Sequence, residues 1–307
     1  MIELILSSYF RQGSTIMFKI LELSNKDKIA LCEPFHEALF DILTRTRPGQ
    51  PDGLHGIPIW DGYFKLPMSV YNKLREHHKD FVNKYLVLND FSKVEKYLDI
   101  LHELDKPVLF KTTRAWLILD KIKEKYGCKV VHLIRNPANT WMDFLHISIK
   151  NDERKFWKTT LTMYGWMELG RAFYLGPHFN YFSTFDQRAL TINNLDRFLL
   201  LWTIANYNAV KKADLIIVYE LVLKRRREYF DYLNTVLGEQ YFSKQYVHLP
   251  NERLALEYPD RRLVLNYIIH NELRRLKLMW MYDEIYEKIQ QEFNRFGIKN
   301  EFYPEPV

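Results

Sequence analysis

Cysteine is scarce in this chain, with only Cys32 and Cys128 among 307 residues. The two lie far apart and neither has metal-ligand spacing around it. That excludes a disulfide framework or a zinc site and fits a reducing compartment. Long apolar runs are missing too: nothing approaches the ~20 consecutive residues needed to span a bilayer. The apolar start is interrupted by Glu3 and ends at Ser7, unlike a secretory leader. The expectation is a soluble, cytoplasmic protein with no membrane partner. Charge is modest. A net +6 suits an anionic small molecule but falls short of the basic stripe of a nucleic-acid binder. The chain also lacks a Gly-x-x-x-x-Gly-Lys-Ser/Thr signature and an acidic strand end to hold magnesium, which disfavours a nucleoside triphosphatase. What remains is a globular composition, 47% hydrophobic and 15% aromatic, with length enough for a substantial core.

The most informative stretch is Leu4 to Leu21, LILSSYFRQGSTIMFKIL. An apolar run of strand length is followed by a small, polar and basic turn containing Gly13. A helix comes next, with Ile16, Met17, Ile20 and Leu21 on its apolar face and Ser14 or Thr15 as its cap. Strand, short loop and helix N-terminus together bind anions, because unpaired amides and the helix dipole face the same point. Arg11 adds a planar cation suited to phosphate or sulfate oxygens.

Further along, Ile29–Glu33 reads as a second buried strand ended by Pro34. Residues Arg45 to Pro67, rich in Pro and Gly, read as a loop or lid. Helices are expected over Met68–Tyr85 and Ser92–Glu103. Pro107–Lys111 is a third strand, leading into a helix over Arg114–Tyr126 that Gly127 stops. Cys128–Ile134 is a fourth strand, and Pro137 opens the next helix. Ten aromatics between Phe156 and Phe185 form either plain core or an acceptor pocket. Asn194–Lys212 reads as an amphipathic helix and Asp214–Tyr219 as a fifth strand, and a helix then runs to Gly238. One or two helices over Arg261–Phe296 close the chain. Repeated strand-to-helix units make the fold class α/β, a three-layer sandwich with a central parallel sheet. It is expected as one domain: a core over 1–238, with a lid at 45–105 and the aromatic segment at 151–192, and a helical extension over 239–307.

Taken together, four ordered segments resemble the sulfotransferase family, over roughly Leu4 to Gly238. Arg11-Gln12-Gly13-Ser14-Thr15 is similar to its 5′-phosphosulfate loop, and Val130–Leu145 (VVHLIRNPANTWMDFL) to the segment that grips the 3′-phosphate. Leu215–Leu221 (LIIVYEL) is similar to the strand ending in Tyr-Glu, with Trp202 on the preceding helix. Lys111-Thr112 matches the Lys-Thr after the third core strand. The resemblance implies a P-loop-like fold that binds 3′-phosphoadenosine 5′-phosphosulfate (PAPS) and transfers its sulfuryl group without a metal. It implies donor contacts from Arg11, Gln12, Gly13, Ser14, Thr15, Arg135, the Asp143 position and Tyr219, with Lys111 and Arg11 stabilising the transferred group.

Two departures from the family pattern stand out. The family's catalytic histidine position holds Thr113, which cannot act as a base near neutral pH. Glu33 matches instead the glutamate of carbohydrate- and tyrosine-sulfating members, and is the expected general base, with His36 as substitute. The family serine for the 3′-phosphate corresponds to Asp143, whose charge would repel a phosphate unless a cation offsets it. The acceptor is expected to be a small-molecule hydroxyl or amine; oligomeric state is left open, a homodimer included. The alternatives are a small-molecule kinase with a P-loop-type fold and a non-catalytic nucleotide-binding module.

Overall fold

The computed structural model describes residues 1–53, 55–82, 88, 90–150, 194–249 and 259–303. Its centre is a five-stranded parallel sheet: β1 (Ile2–Ser8), β2 (Ile29–Cys32), β3 (Val108–Thr112), β4 (Lys129–Ile134) and β5 (Leu215–Val218), in the order β2-β3-β1-β4-β5. Nearly every residue of these strands is buried, as the continuous apolar runs require of strands covered on both faces. The register sets Leu6 of β1 beside Lys111 of β3, and Cys32 of β2 on Lys111's other side. Because all five strands run the same way, their carboxyl ends share one edge, where α/β sheets bind ligands.

The helices are α1 (Ser14–Ser24), α2 (Leu39–Arg45), α3 (Asp61–Phe64), α4 (Met68–Val82), α5 (Glu95–His102), α6 (Leu119–Tyr126), α7 (Pro137–Lys150), α8 (Asn194–Lys212), α9 (Tyr219–Leu237), α10 (Pro259–Arg275) and α11 (Met279–Arg295). Helix α1 packs on β1, β2 and β3, while α8 lies against β1 and β4, and α9 and α11 against β5. Trp116, Trp202, Tyr229 and Tyr282 are among the largest fully buried side chains. As expected, Gly127 and Gly238 end α6 and α9 in left-handed conformations, and Pro137 opens α7.

Three local expectations are corrected. The N-cap of α1 is Gly13 (φ 87°), not Ser14 or Thr15, and no side chain caps it. The helix expected from Arg114 begins only at Leu119, because Arg114 is drawn into a buried ionic cluster. β2 stops at Cys32, and Glu33 turns into the left-handed region (φ 47°). The aromatic segment Phe156–Phe185 lies outside the described residues. Among the described residues, no helix is long and apolar enough to cross a membrane.

Candidate functional site

At the carboxyl edge of the sheet lies a cavity of about 390 Å³. Its lining comes from all five strand ends and from the loop before α3. Four cations (Arg11, Lys111, Arg114, Arg135) face three carboxylates (Glu33, Asp52, Asp143) across it. Every residue expected at the site lines it except Gln12.

The β1–α1 loop forms the first wall. Helix geometry leaves the leading amides of α1 without intrahelical acceptors, and among the described residues no side chain caps them. Ser14 and Thr15 line the cavity beside them. Gly13 is required twice over. Its φ is left-handed, and a Cβ there would lie 2.5 Å from the Tyr219 ring. Arg11 is also left-handed (φ 63°), a strained backbone of the kind that clusters at functional sites. Its buried Nε has no hydrogen-bond partner among the described residues. The Gln12 side chain turns inward, away from the cavity. Its Oε1 accepts from the Tyr9 amide (2.9 Å), and its Nε2 donates to Asn206 Oδ1 (3.2 Å). Buried His132 bonds the same Asn206 oxygen (2.9 Å). This polar network holds the loop from behind.

Glu33 is the hub of the second wall. Its Oε1 accepts from Lys111 Nζ (2.6 Å) and Thr113 Oγ1 (2.8 Å); its Oε2 accepts from Arg114 Nη1 (3.0 Å) and the Thr113 amide (3.2 Å). Burial pushes its pKa up, but Lys111 and Arg114 outweigh that and hold it at about 2. Such a carboxylate has little affinity for a proton, and all its bonding directions are engaged. Glu33 thereby holds two cations, Lys111 and Arg114, in place. Lys111 spends one donor on Glu33, leaving two of an ammonium's three for a ligand. His36, the other expected base, lines the same cavity. Its Nδ1 accepts from the Ala38 amide (3.1 Å), which puts the neutral ring's proton on Nε2, and burial, with Arg114 adding to it, lowers its pKa to about 4.

The third wall joins β4 and β5. Arg135 forms a buried ion pair with Asp143 through Nη1, and its guanidinium lies 5.4 Å from the centre of the Tyr219 ring. Asp143 thus has the offsetting cation its position demands. Among the described residues, Asp143 Oδ1 and Arg135 Nε remain buried without partners. Thr140 bonds the carbonyl of Asn136 (2.9 Å) and is fully buried, so it does not replace the family serine. Tyr219 packs over Gly13 and Arg135, bridging the first and third walls. Glu220, next in sequence, accepts from the Asn136 amide (3.0 Å) and from the Tyr303 hydroxyl (2.8 Å). Trp202 Nε1 donates to the Arg135 carbonyl (3.2 Å). The Tyr-Glu pair and the tryptophan seen in the sequence therefore clamp the turn that carries Arg135.

The lid covers one side. Gly62 has no room for a Cβ, which would fall 1.7 Å from the Ala30 carbonyl oxygen, and the Tyr63 hydroxyl donates to the Cys32 carbonyl (2.9 Å). These contacts seat the lid on β2. Within it, His55 Nδ1 lies 2.6 Å from Asp52 Oδ2, and Trp60 Nε1 donates to Asp52 Oδ1 (3.4 Å). Cys32, on the same cavity, has its thiol pushed up to about 12 by burial and is no nucleophile.

Sequence reasoning missed Arg114, Asp52, His55 and Trp60. Arg114 was hidden inside an apparent helix. The others sit in a Pro/Gly-rich loop with no periodicity to read.

No family model matches the chain. A protein of Archaeoglobus fulgidus, described only as uncharacterized, is 27% identical, with 93% of this chain and 98% of that one covered. Similar solved structures include a sulfotransferase from Alicyclobacillus acidocaldarius (11% identity, TM-score 0.43, covering 90% of this chain and 94% of that one). The sulfotransferase domain from the curacin biosynthetic pathway is another (14%, TM-score 0.41, 82% and 78%). A third is mouse sulfotransferase SULT7A1 complexed with PAP (13%, TM-score 0.37, 84% and 67%). Those neighbours are all sulfotransferases, but scores and identities this low carry no functional inference, and a function must rest on the cavity's own residues.

Proposed function

We propose that this protein transfers a sulfuryl group from PAPS to a hydroxyl or amine of a small molecule. The observation that carries this reading is the uncapped α1 N-terminus with Arg11, Lys111, Arg114 and Arg135 around it. Sulfuryl transfer, like phosphoryl transfer, asks for in-line positioning and stabilisation of charge on the transferred and leaving oxygens. The amides of α1 and the Arg11 guanidinium suit the 5′-phosphosulfate. Lys111, held by Glu33 with donors to spare, suits the oxygen between phosphorus and sulfur. Arg135 is the candidate for the 3′-phosphate, and its pairing with Asp143 weakens that subsite. The orphaned Nε atoms of Arg11 and Arg135 fit an anionic ligand that completes them.

Titration calorimetry with PAP and with ATP–magnesium tests the reading. Tight PAP binding with weak ATP binding supports it. The reverse preference would favour the small-molecule kinase, and PAP binding with no turnover of PAPS on any acceptor the non-catalytic module.

A further inference from the structure

We propose that His55, oriented by Asp52, is the general base that takes the acceptor's proton; this rests on the sulfuryl-transfer reading. Among the described cavity residues the other titratable side chains are already committed. Glu33 is saturated by Lys111, Thr113 and Arg114. Asp143 is paired with Arg135. His36 presents an N–H at Nε2 because Nδ1 accepts from Ala38. Burial raises the Cys32 thiol and the Tyr219 hydroxyl alike, leaving both protonated.

His55 is different. With Asp52 Oδ2 2.6 Å from Nδ1, the neutral ring keeps its proton there and exposes the Nε2 lone pair. No described residue bonds Nε2. Asp52 is itself fixed, accepting from the His55 amide (3.1 Å) and from Trp60 Nε1 (3.4 Å). The turn around it is closed by Gly56 N–H to the Asp52 carbonyl (2.8 Å) and Asp52 N–H to the Ile57 carbonyl (2.9 Å). Both side chains are largely but not wholly buried, at 26% and 18% exposure, which leaves a path for an acceptor. A base held in one tautomer by a carboxylate is the arrangement that activates hydroxyl nucleophiles in unrelated hydrolases.

The step balances without a further reactant. The acceptor oxygen bonds to sulfur as the bond from sulfur to the 5′-phosphate oxygen breaks, and that electron pair leaves with the phosphate. The acceptor proton passes to His55 Nε2, and the imidazolium later releases it to water. Asp52 is a positioning residue, since it acts only through His55.

Acceptors of different acidity separate catalysis from loop architecture. Wild type and His55→Gln are assayed with PAPS and either phenol, which needs a base, or 4-nitrophenol, which is far more acidic and already partly ionised near neutral pH. Expected is a loss on the order of 100-fold with phenol, a much smaller loss with 4-nitrophenol, and PAP affinity unchanged within about two-fold. Asp52→Asn is expected to follow the same pattern, and imidazole to restore phenol turnover in His55→Ala. Equal losses on both phenols, or none, would overturn the proposal. Nitrogen NMR of the imidazoles reads the tautomer directly. A proton on His55 Nε2 sinks the dyad whatever the donor, whereas failure of the wild type to bind PAP sinks only the sulfuryl-transfer reading.

Discussion

The two ends of the cavity are built on opposite principles. Around Glu33 the carboxylate is fully engaged, with four hydrogen bonds and two cations holding it in place. Around Arg135, among the described residues, the ion pair with Asp143 leaves Arg135 Nε, Asp143 Oδ1 and the neighbouring Arg11 Nε buried without partners. Buried polar groups left unmatched cost free energy. Among the described residues both Glu33 oxygens are matched while Asp143 Oδ1 is not, so the first carboxylate is satisfied within the protein and the second leaves more for something else to complete. The Glu33 cluster is therefore the preorganised part, which holds Lys111 and Arg114 whether or not a ligand is present. The Arg11–Arg135 end is where ligand binding should show most strongly in affinity.

That contrast can be broken by substitution. Glu33→Gln removes the carboxylate paired with Lys111 and leaves Arg114 paired with Glu37, and should lower stability by about 3–5 kcal/mol, measured by denaturant unfolding. Wild-type stability in that variant would mean the cluster is not the preorganised end. The same carboxylate makes stability pH-dependent. Its folded pKa, about 2, lies below the unfolded value of 4.5, so its stabilisation is present above pH 4.5 and is lost as pH falls toward 2. Acid titration should therefore destabilise the wild type more than Glu33→Gln over that window.

At the other end the effects should move to binding. Arg11→Ala is expected to weaken PAP binding by about 1.5–3 kcal/mol, roughly ten- to a hundred-fold, with stability nearly unchanged. A large stability loss with unaltered affinity would reverse the assignment of the two ends. Asp143→Ser removes the carboxylate that competes with phosphate for Arg135. PAP affinity should rise, on the order of tenfold, while the ligand-free protein becomes less stable because Arg135 loses its partner. Weaker PAP binding in that variant would show that Asp143 holds Arg135 in its binding geometry and does not compete with the ligand.

Much of this was readable in advance where local chemistry decides the outcome. Apolar runs of strand length marked all five strands, and Gly127, Gly238 and Pro137 marked helix ends, because backbone sterics and hydrogen bonding act within a few residues. Gly13 was legible as a turn glycine, but its second reason, the Tyr219 ring, comes from more than 200 residues away in sequence. Gln12 looked like a ligand contact because its loop position was right. Its side-chain direction depends on Asn206 and His132, which the sequence does not bring to it. Arg114 fitted a helical pattern until Glu33 and Glu37 drew it out.

What the sequence by itself determined is the parallel α/β sheet and the anion cradle at the end of its first strand, since hydrophobic period and turn chemistry are local. Only the tertiary structure decided what each ionisable group does. Glu33 reads from sequence as a base, and the fold brings Lys111 from β3 and Thr113 and Arg114 from the loop after it into hydrogen-bond contact with its carboxylate. Asp143 reads as a repulsive flaw, and becomes a partner because α7 places it beside Arg135. A carboxylate's role is set by the charges and donors within a few ångströms, and those neighbours are chosen by the fold.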